Sequence, residues 1–178
     1  MLTRSLLFAA AASLSFAACS STAMDGAAAG LAMPADPTPE QRGPYVMMAA
    51  SSDMYEIQSG QLAQQRSQNG TVRQFGAMLV QHHTQTTQQL MAAAQASGTP
   101  VPTGMMPLHA EMLRRLQAAS ASEFDRMFQM QQVMAHEMAL ALHRNYGQNG
   151  DTPALRQTAM AATPIIQQHL NQARTLPR

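Results

Sequence analysis

The sequence predicts an all-α fold: four long helices packed as a bundle, with an additional short helix in the central connection. Three observations carry this expectation. Beyond residue 43 the apolar residues recur at helical spacing. β-Branched and aromatic residues are scarce there, while alanine, glutamine, methionine and leucine dominate. The turn-like triplet "QNG" closes two of the long segments, eighty residues apart.

The chain of 178 residues suits one domain once its first segments are set aside. Residues 1–18, "MLTRSLLFAAAASLSFAA", have a cationic start at Arg4, an apolar run from Leu6 to Phe16 and small residues at the end. This is the layout of a signal peptide, too short to span a membrane. The single cysteine follows in "SFAACSS" and cannot form an internal disulfide. Its place resembles the lipobox of bacterial lipoproteins, which implies that Cys19 becomes the lipidated first residue, with Phe16 standing where an aliphatic residue is usual. Ser20 resembles the sorting pattern for the outer membrane. The expected address is therefore the periplasmic side of the cell envelope, with the membrane reached through the lipid anchor.

Residues 19–43 are small, Pro-rich and unpatterned, and read as a disordered tether; residues 44–178 form the bundle domain. The helices are expected at Tyr45–Gln68, Thr71–Ala96, Leu108–Ala119, Ser122–Tyr146 and Pro153–Thr175. Gly70 and Gly150 suit left-handed caps after the first and third long helices. Thr71 and the run Asp151-Thr152-Pro153 restart the chain, the latter with proline at the first helical position. "EFDR" at Glu123–Arg126 places acids near a positive helix end, with Ser120 or Ser122 as cap. Short turns make two antiparallel hairpins, and the long middle segment can cross between them, the connectivity of ferritin-like folds; an up-down-up-down order is the alternative.

The segments "SSDMYEIQSGQLAQQRSQNGTVRQFGAMLVQHHTQTTQQL", "ASEFDRMFQMQQVMAHEMALAL" and "ALRQTAMAATPIIQQHLNQAR" resemble the three blocks of a large bacterial family of secreted ferritin-like proteins. That family is a domain of unknown function, often labelled predicted outer-membrane protein. The likeness spans about Val46 to Leu176 and rests on "MYEIQSGQLA", "EFDRMF", "AHEMAL" and "PIIQQHL". It implies the fold and the envelope location, and no activity.

Charge excludes one class of partner. Without Arg4 ten arginines face ten acidic residues, and there is no lysine, so the basic excess of a nucleic-acid binder is missing.

Helical phase selects a candidate site. The second helix carries a stripe of Val72, Phe75, Leu79, Thr86, Leu90 and Ala93, with His83 about 40° from its centre and His82 about 60° away on the other side. In the fourth long helix the stripe is Leu155, Ala159, Ala162, Ile166, Leu170 and Ala173, with His169 within about 40°; Pro164 lies inside it and is expected to kink it. On the first helix Met48, Ser52, Tyr55, Ser59 and Leu62 face inward, with Glu56 on the shoulder. Shifting Glu56 by the eighty-residue repeat lands on His136. Glu56, His83, His136 and His169 thus give one potential metal ligand per helix, a set suited to a single zinc, copper, iron or manganese ion. The acids of a dinuclear Glu-x-x-His centre would fall at Val80 and Ile166, which argues against a di-iron site. The phase of His136 is a difficulty: it falls about 140° from the stripe of Phe124, Met127, Phe128, Met134, Met138 and Leu142, which points it to solvent or to a groove beside the short helix.

Sixteen methionines, including Met127, Met130, Met134 and Met138, raise copper(I) as a second reading. With "MAHEM" they are loosely similar to periplasmic helical proteins bearing Met- and His-rich copper motifs. Core filling accounts for all but Met130, which lies off the stripe. His109 and His143 read as surface residues, and Arg114-Arg115 as a solvated face. Phosphate loops, nucleophile elbows, His-Glu-x-x-His and a cysteine nucleophile are absent from the sequence. Asp53 and Glu56, three residues apart on a helix, could form an acid/base pair, as could many surface carboxylates. The reading is a binding or stress-related envelope protein rather than an enzyme; a purely structural or interaction module and a metal-dependent oxidoreductase are the alternatives.

Overall fold

Five α-helices and no strands make up the described residues of the computed structural model, which run from Asp36 to Pro177. The signal peptide, Cys19 and most of the tether lie outside that range. The helices are α1 (Arg42–Arg66), α2 (Gly70–Ala96), α3 (Pro107–Ala118), α4 (Phe124–Asn149) and α5 (Pro153–Ala173). Among the described residues no helix is long and apolar enough to cross a membrane.

The expected stripes fold inward. Val72, Phe75, Leu79, Thr86 and Leu90 of α2 are buried, as are Leu155, Ala159, Ala162, Ile166, Leu170 and Ala173 of α5. α1 packs on α2 and α4, and α5 packs on α4 and α2, while α3 lies against α1 and α4. Contacting residues run in opposite directions in every neighbouring pair of long helices. Tyr45 meets His143 and Tyr146 while Tyr55 meets Gln131; His136 meets His169 while Gln129 meets Ala173. Phe75 clusters with Ala173, and Leu90 with Leu155. α2 and α4 therefore run the same way, joined by the crossing segment that contains α3, and the up-down-up-down order is not the one adopted.

The helix ends differ from the expected punctuation. Gly70 is the first residue of α2, and Gly150 has φ −61°, so neither is a left-handed cap; among the described residues Gly98 alone has positive φ, at 64°. The α1–α2 turn is made instead by Asn69, whose Oδ1 accepts from the backbone N–H of Thr71 and Val72. α4 begins at Phe124 with Glu123 before it, and neither Ser120 nor Ser122 caps it with its side chain. α5 runs through Pro164 as one element. α1 begins at Arg42, inside the segment read as tether, and Asn145 Nδ2 donates to the Thr38 carbonyl just before it.

Two glycines bring α1 and α2 together. A Cβ on Gly60 would stand 2.6 Å from the Gly76 carbonyl oxygen, and one on Gly76 would meet Gly60 O at 2.6 Å and Ala63 Cβ at 2.8 Å. The backbones touch here because no side chain intervenes. This close approach lies one to two turns from the histidines of α2.

Candidate functional site

Four helices aim polar side chains at one level of the interior. α1 supplies Asp53 and Glu56, α2 His82 and His83, α4 Gln132 and His136, and α5 His169. The rings of His83, His136 and His169 form a triangle with centroids 5.8, 5.3 and 5.3 Å apart. One ring nitrogen from each lies within 4.8 Å of the others, and all three residues are buried. Phe75 walls the triangle, its ring 6.5 and 6.4 Å from those of His136 and His169.

Hydrogen bonds fix the nitrogens. His83 Nδ1 donates to Asp53 Oδ1 at 2.8 Å, leaving Nε2 with no partner among the described residues. Asp53 is held in turn by the hydroxyls of Thr86 and Thr87. His136 Nδ1 must donate to the Gln132 carbonyl at 2.8 Å, because a carbonyl only accepts, so neutral His136 offers Nε2 as an acceptor. His169 Nδ1 sits 3.3 Å from that nitrogen, and His169 Nε2 is 2.8 Å from His82 Nδ1. A consistent assignment runs His82 N–H to His169, His169 N–H to His136, and His136 N–H to Gln132. His82 stacks on His169 with centroids 5.0 Å apart and planes 7° from parallel.

Glu56 stands apart from this chain. It is 1% exposed, and neither carboxylate oxygen has a hydrogen-bond partner among the described residues. Its nearest cationic candidate is His136 Nδ1, 3.7 Å from Oε1. Burial pushes the Glu56 pKa up to about 7, against the pull of the His83 charge and of the Gln132 side chain, which lies near the carboxylate without reaching good hydrogen-bond geometry. Burial and the His83 charge push His136 down to about 3, so that imidazole is neutral and makes no ion pair with Glu56. Burial, reinforced by the crowding of the other histidines, also holds His169 far below its ordinary value. For His83 burial acts downward, but the hydrogen bond and charge of Asp53 and the charge of Glu56 outweigh it and the net direction is up. The site therefore presents two neutral imidazoles, a third aimed by a carboxylate, and a buried carboxyl group.

Three of the four expected residues, His83, His136 and His169, come together, and Glu56 stands beside them with Oε1 3.7 Å from His136 Nδ1. His136 does so against its expected phase: it is 1% exposed, because the buried face of α4 runs through Phe128, Gln132, Ala135, His136 and Ala139 rather than along the methionines, of which Met127, Met134 and Met138 are only partly buried. His109 and His143 are buried too, bonded to Ser51 Oγ and Tyr45 Oη, in contrast to the surface positions expected. Met130 is exposed, in keeping with its place off the stripe. Sequence reasoning missed two supporting residues. Asp53 was visible only as a neighbour of Glu56, and Gln132 carried no signal beyond lying one turn before His136; His82, about 60° off the stripe, sits between α2 and α5 against His169.

Comparison with known proteins places the chain. The family model described as a domain of unknown function (DUF4142) matches residues 27–176. The chain belongs to this family. No curated protein and no solved structure matches it. The DUF4142 match covers all five helices, so every residue of the histidine cluster lies within the family's span.

Proposed function

We propose that this DUF4142 protein is an exported, lipid-anchored protein of the cell envelope whose ferritin-like four-helix bundle binds one divalent transition-metal ion between its helices. The observation that carries the metal reading is the pair of buried, unpartnered groups: His83 Nε2 and both oxygens of Glu56. Buried polar atoms are otherwise almost always hydrogen-bonded, so donors left open beside two neutral imidazoles mark a place for a cation. Histidine nitrogens and one carboxylate suit zinc, copper, iron or manganese. At bond lengths near 2.1 Å two donors of a tetrahedral ion stand about 3.4 Å apart, so the nitrogens, within 4.8 Å, would close by up to roughly 1.4 Å on binding. Asp53 would orient His83, and the Gln132 carbonyl would orient His136.

The bundle reading is supported by the antiparallel neighbours and the like direction of α2 and α4 across a long connection. Export and anchoring rest on the layout of residues 1–19.

A second reading has its own support. The chain from His82 through His169 and His136 to Gln132 is self-satisfying, as a purely structural network between helices would be. It leaves Glu56 and His83 Nε2 unexplained. Calorimetric titration of the full chain with zinc separates the two: the metal reading expects one site, weakened at least tenfold in Glu56→Gln, and the structural reading expects no saturable heat. Mass spectrometry of the N-terminal peptide tests the anchor, for which an unmodified Cys19 is the contrary result.

A further inference from the structure

A second cluster of soft donors lies on the other side of α1, where α3 covers α1 and α4. A cavity of about 30 Å³ opens there, lined by Met48 of α1, Met106 just before α3, His109 of α3 and Met138 of α4, with Leu108 and Leu142 beside them. Its size admits one or two water-sized occupants, and apart from Ser52 and His109 its walls are thioethers and aliphatic groups.

His109 is fixed for a ligand. Its ring stacks near that of Tyr55, with centroids 5.7 Å apart and planes 18° from parallel, and its Nδ1 lies 2.7 Å from Ser51 Oγ. That hydroxyl already accepts the Met106 backbone N–H at 2.8 Å, which ties the loop before α3 to α1. Nε2 makes no hydrogen bond among the described residues, and the tautomer with Nδ1–H donating to Ser51 Oγ is the one that would open its lone pair to a ligand. Burial also lowers the His109 pKa to about 4, so the ring is neutral.

We infer that the cavity between α1, α3 and α4 is a binding site for a soft monovalent metal ion, copper(I), held by the thioethers of Met48, Met106 and Met138 and the imidazole of His109. Thioethers are poor ligands for zinc, manganese or magnesium and good ones for copper(I). A single positive charge costs far less to bring into an apolar cavity than a double one. Core filling explains why methionine is tolerated at these positions. It does not explain why three of them line one small cavity together with a buried histidine whose Nε2 has no hydrogen bond. The inference is independent of the histidine site and stands or falls separately.

The test is an anaerobic copper(I) titration of the full chain against a chromophoric copper(I) chelator. The parent for comparison is His83→Ala/His169→Ala, which removes the histidine site. The site expects this parent to keep one copper(I) per chain, and Met48→Leu/Met138→Leu on the same background to bind at least tenfold more weakly. Leucine conserves volume, so helix content by circular dichroism should be unchanged. Loss of all copper(I) in the parent overturns the inference, as does unchanged affinity in the methionine variant. If the variant fails to fold, X-ray absorption of the copper-loaded parent decides instead: sulfur neighbours at about 2.3 Å are expected, and a shell of nitrogen and oxygen alone overturns it.

Discussion

His83 Nδ1 donates to Asp53 Oδ1 at 2.8 Å, and this one bond between α1 and α2 determines where the free nitrogen of His83 points. Two threonine hydroxyls on α2 hold the carboxylate from the other side. The bond therefore joins the packing of α1 on α2 to the chemistry of the site.

Asp53→Asn keeps the shape but removes the charge that favours the donor tautomer of His83. Loss of such an orienting carboxylate costs on the order of 10–100-fold in metal affinity. Zinc calorimetry is expected to show this with the stoichiometry unchanged.

Glu56→Gln separates stability from binding. The raised pKa of about 7 means that Glu56 favours the fold when protonated. Its contribution is complete below the unfolded value near 4.5 and is lost as pH rises through about 7. The metal-free variant is therefore expected to be more stable than the wild type at pH 8, by on the order of 2–3 kcal/mol, and little different at pH 4. Urea denaturation at the two pH values checks this. The same variant binds zinc more weakly, so stability and affinity move in opposite directions.

Much of the fold was legible before the structure because α2 and α5 each bury a single face. Periodicity found Val72 to Leu90 and Leu155 to Ala173 for that reason. α4 is different: it touches α1, α3 and α5, so its buried surface wraps most of the helix and has no single centre. A stripe drawn through its bulky residues followed the methionines and turned His136 outward. The same covering by neighbouring elements explains His109, pressed on α1, and His143, pressed on Tyr45. Glycine at "QNG" suggested left-handed caps, but an asparagine cap at Asn69 and extended backbone at Gly150 achieve the turns without them. Asp53 and His82 depended on contacts between helices that no local pattern encodes, whereas the Gln132 backbone carbonyl meets His136 one turn on within α4.

Acid should weaken the metal-free fold. Burial holds His109 and His143 near 4 and His136 near 3, all below the ordinary histidine value of 6.5. The unfolded chain takes up protons first as pH falls, so stability drops from about pH 6.5 toward pH 4. Glu56 and His83 act the other way but are fewer. A fall in Tm of roughly 10 °C or more between pH 7 and pH 4.5 is expected by differential scanning calorimetry.

Gly76→Ala tests the close approach of α1 and α2. The added methyl group would meet Gly60 O and Ala63 Cβ well inside contact distance. Forcing the helices apart is expected to cost about 1–3 kcal/mol and to weaken metal binding, since Asp53 and His83 sit on opposite sides of the same seam. Denaturation with and without zinc reads both effects.

Arg66 offers a control remote from the donors. Its guanidinium donates to the carbonyls of Leu116, Gln117 and Ala119 at the end of α3 and lies 4.9 Å from the Phe124 ring centroid. Arg66→Ala is expected to lose about 1–3 kcal/mol of stability, measured in urea, with zinc affinity unchanged.

Elemental analysis of the full chain after equilibrium dialysis bears most directly on the histidine site. Zinc and manganese are the probes, and His83→Ala/His169→Ala is the comparison. One ion per chain in the wild type, none in the double variant and a rise in wild-type Tm on loading are expected. A wild type that carries no stoichiometric metal and gains no Tm with zinc, copper, manganese or iron would contradict the metal reading and leave His83, His136, His169 and Glu56 as a structural core.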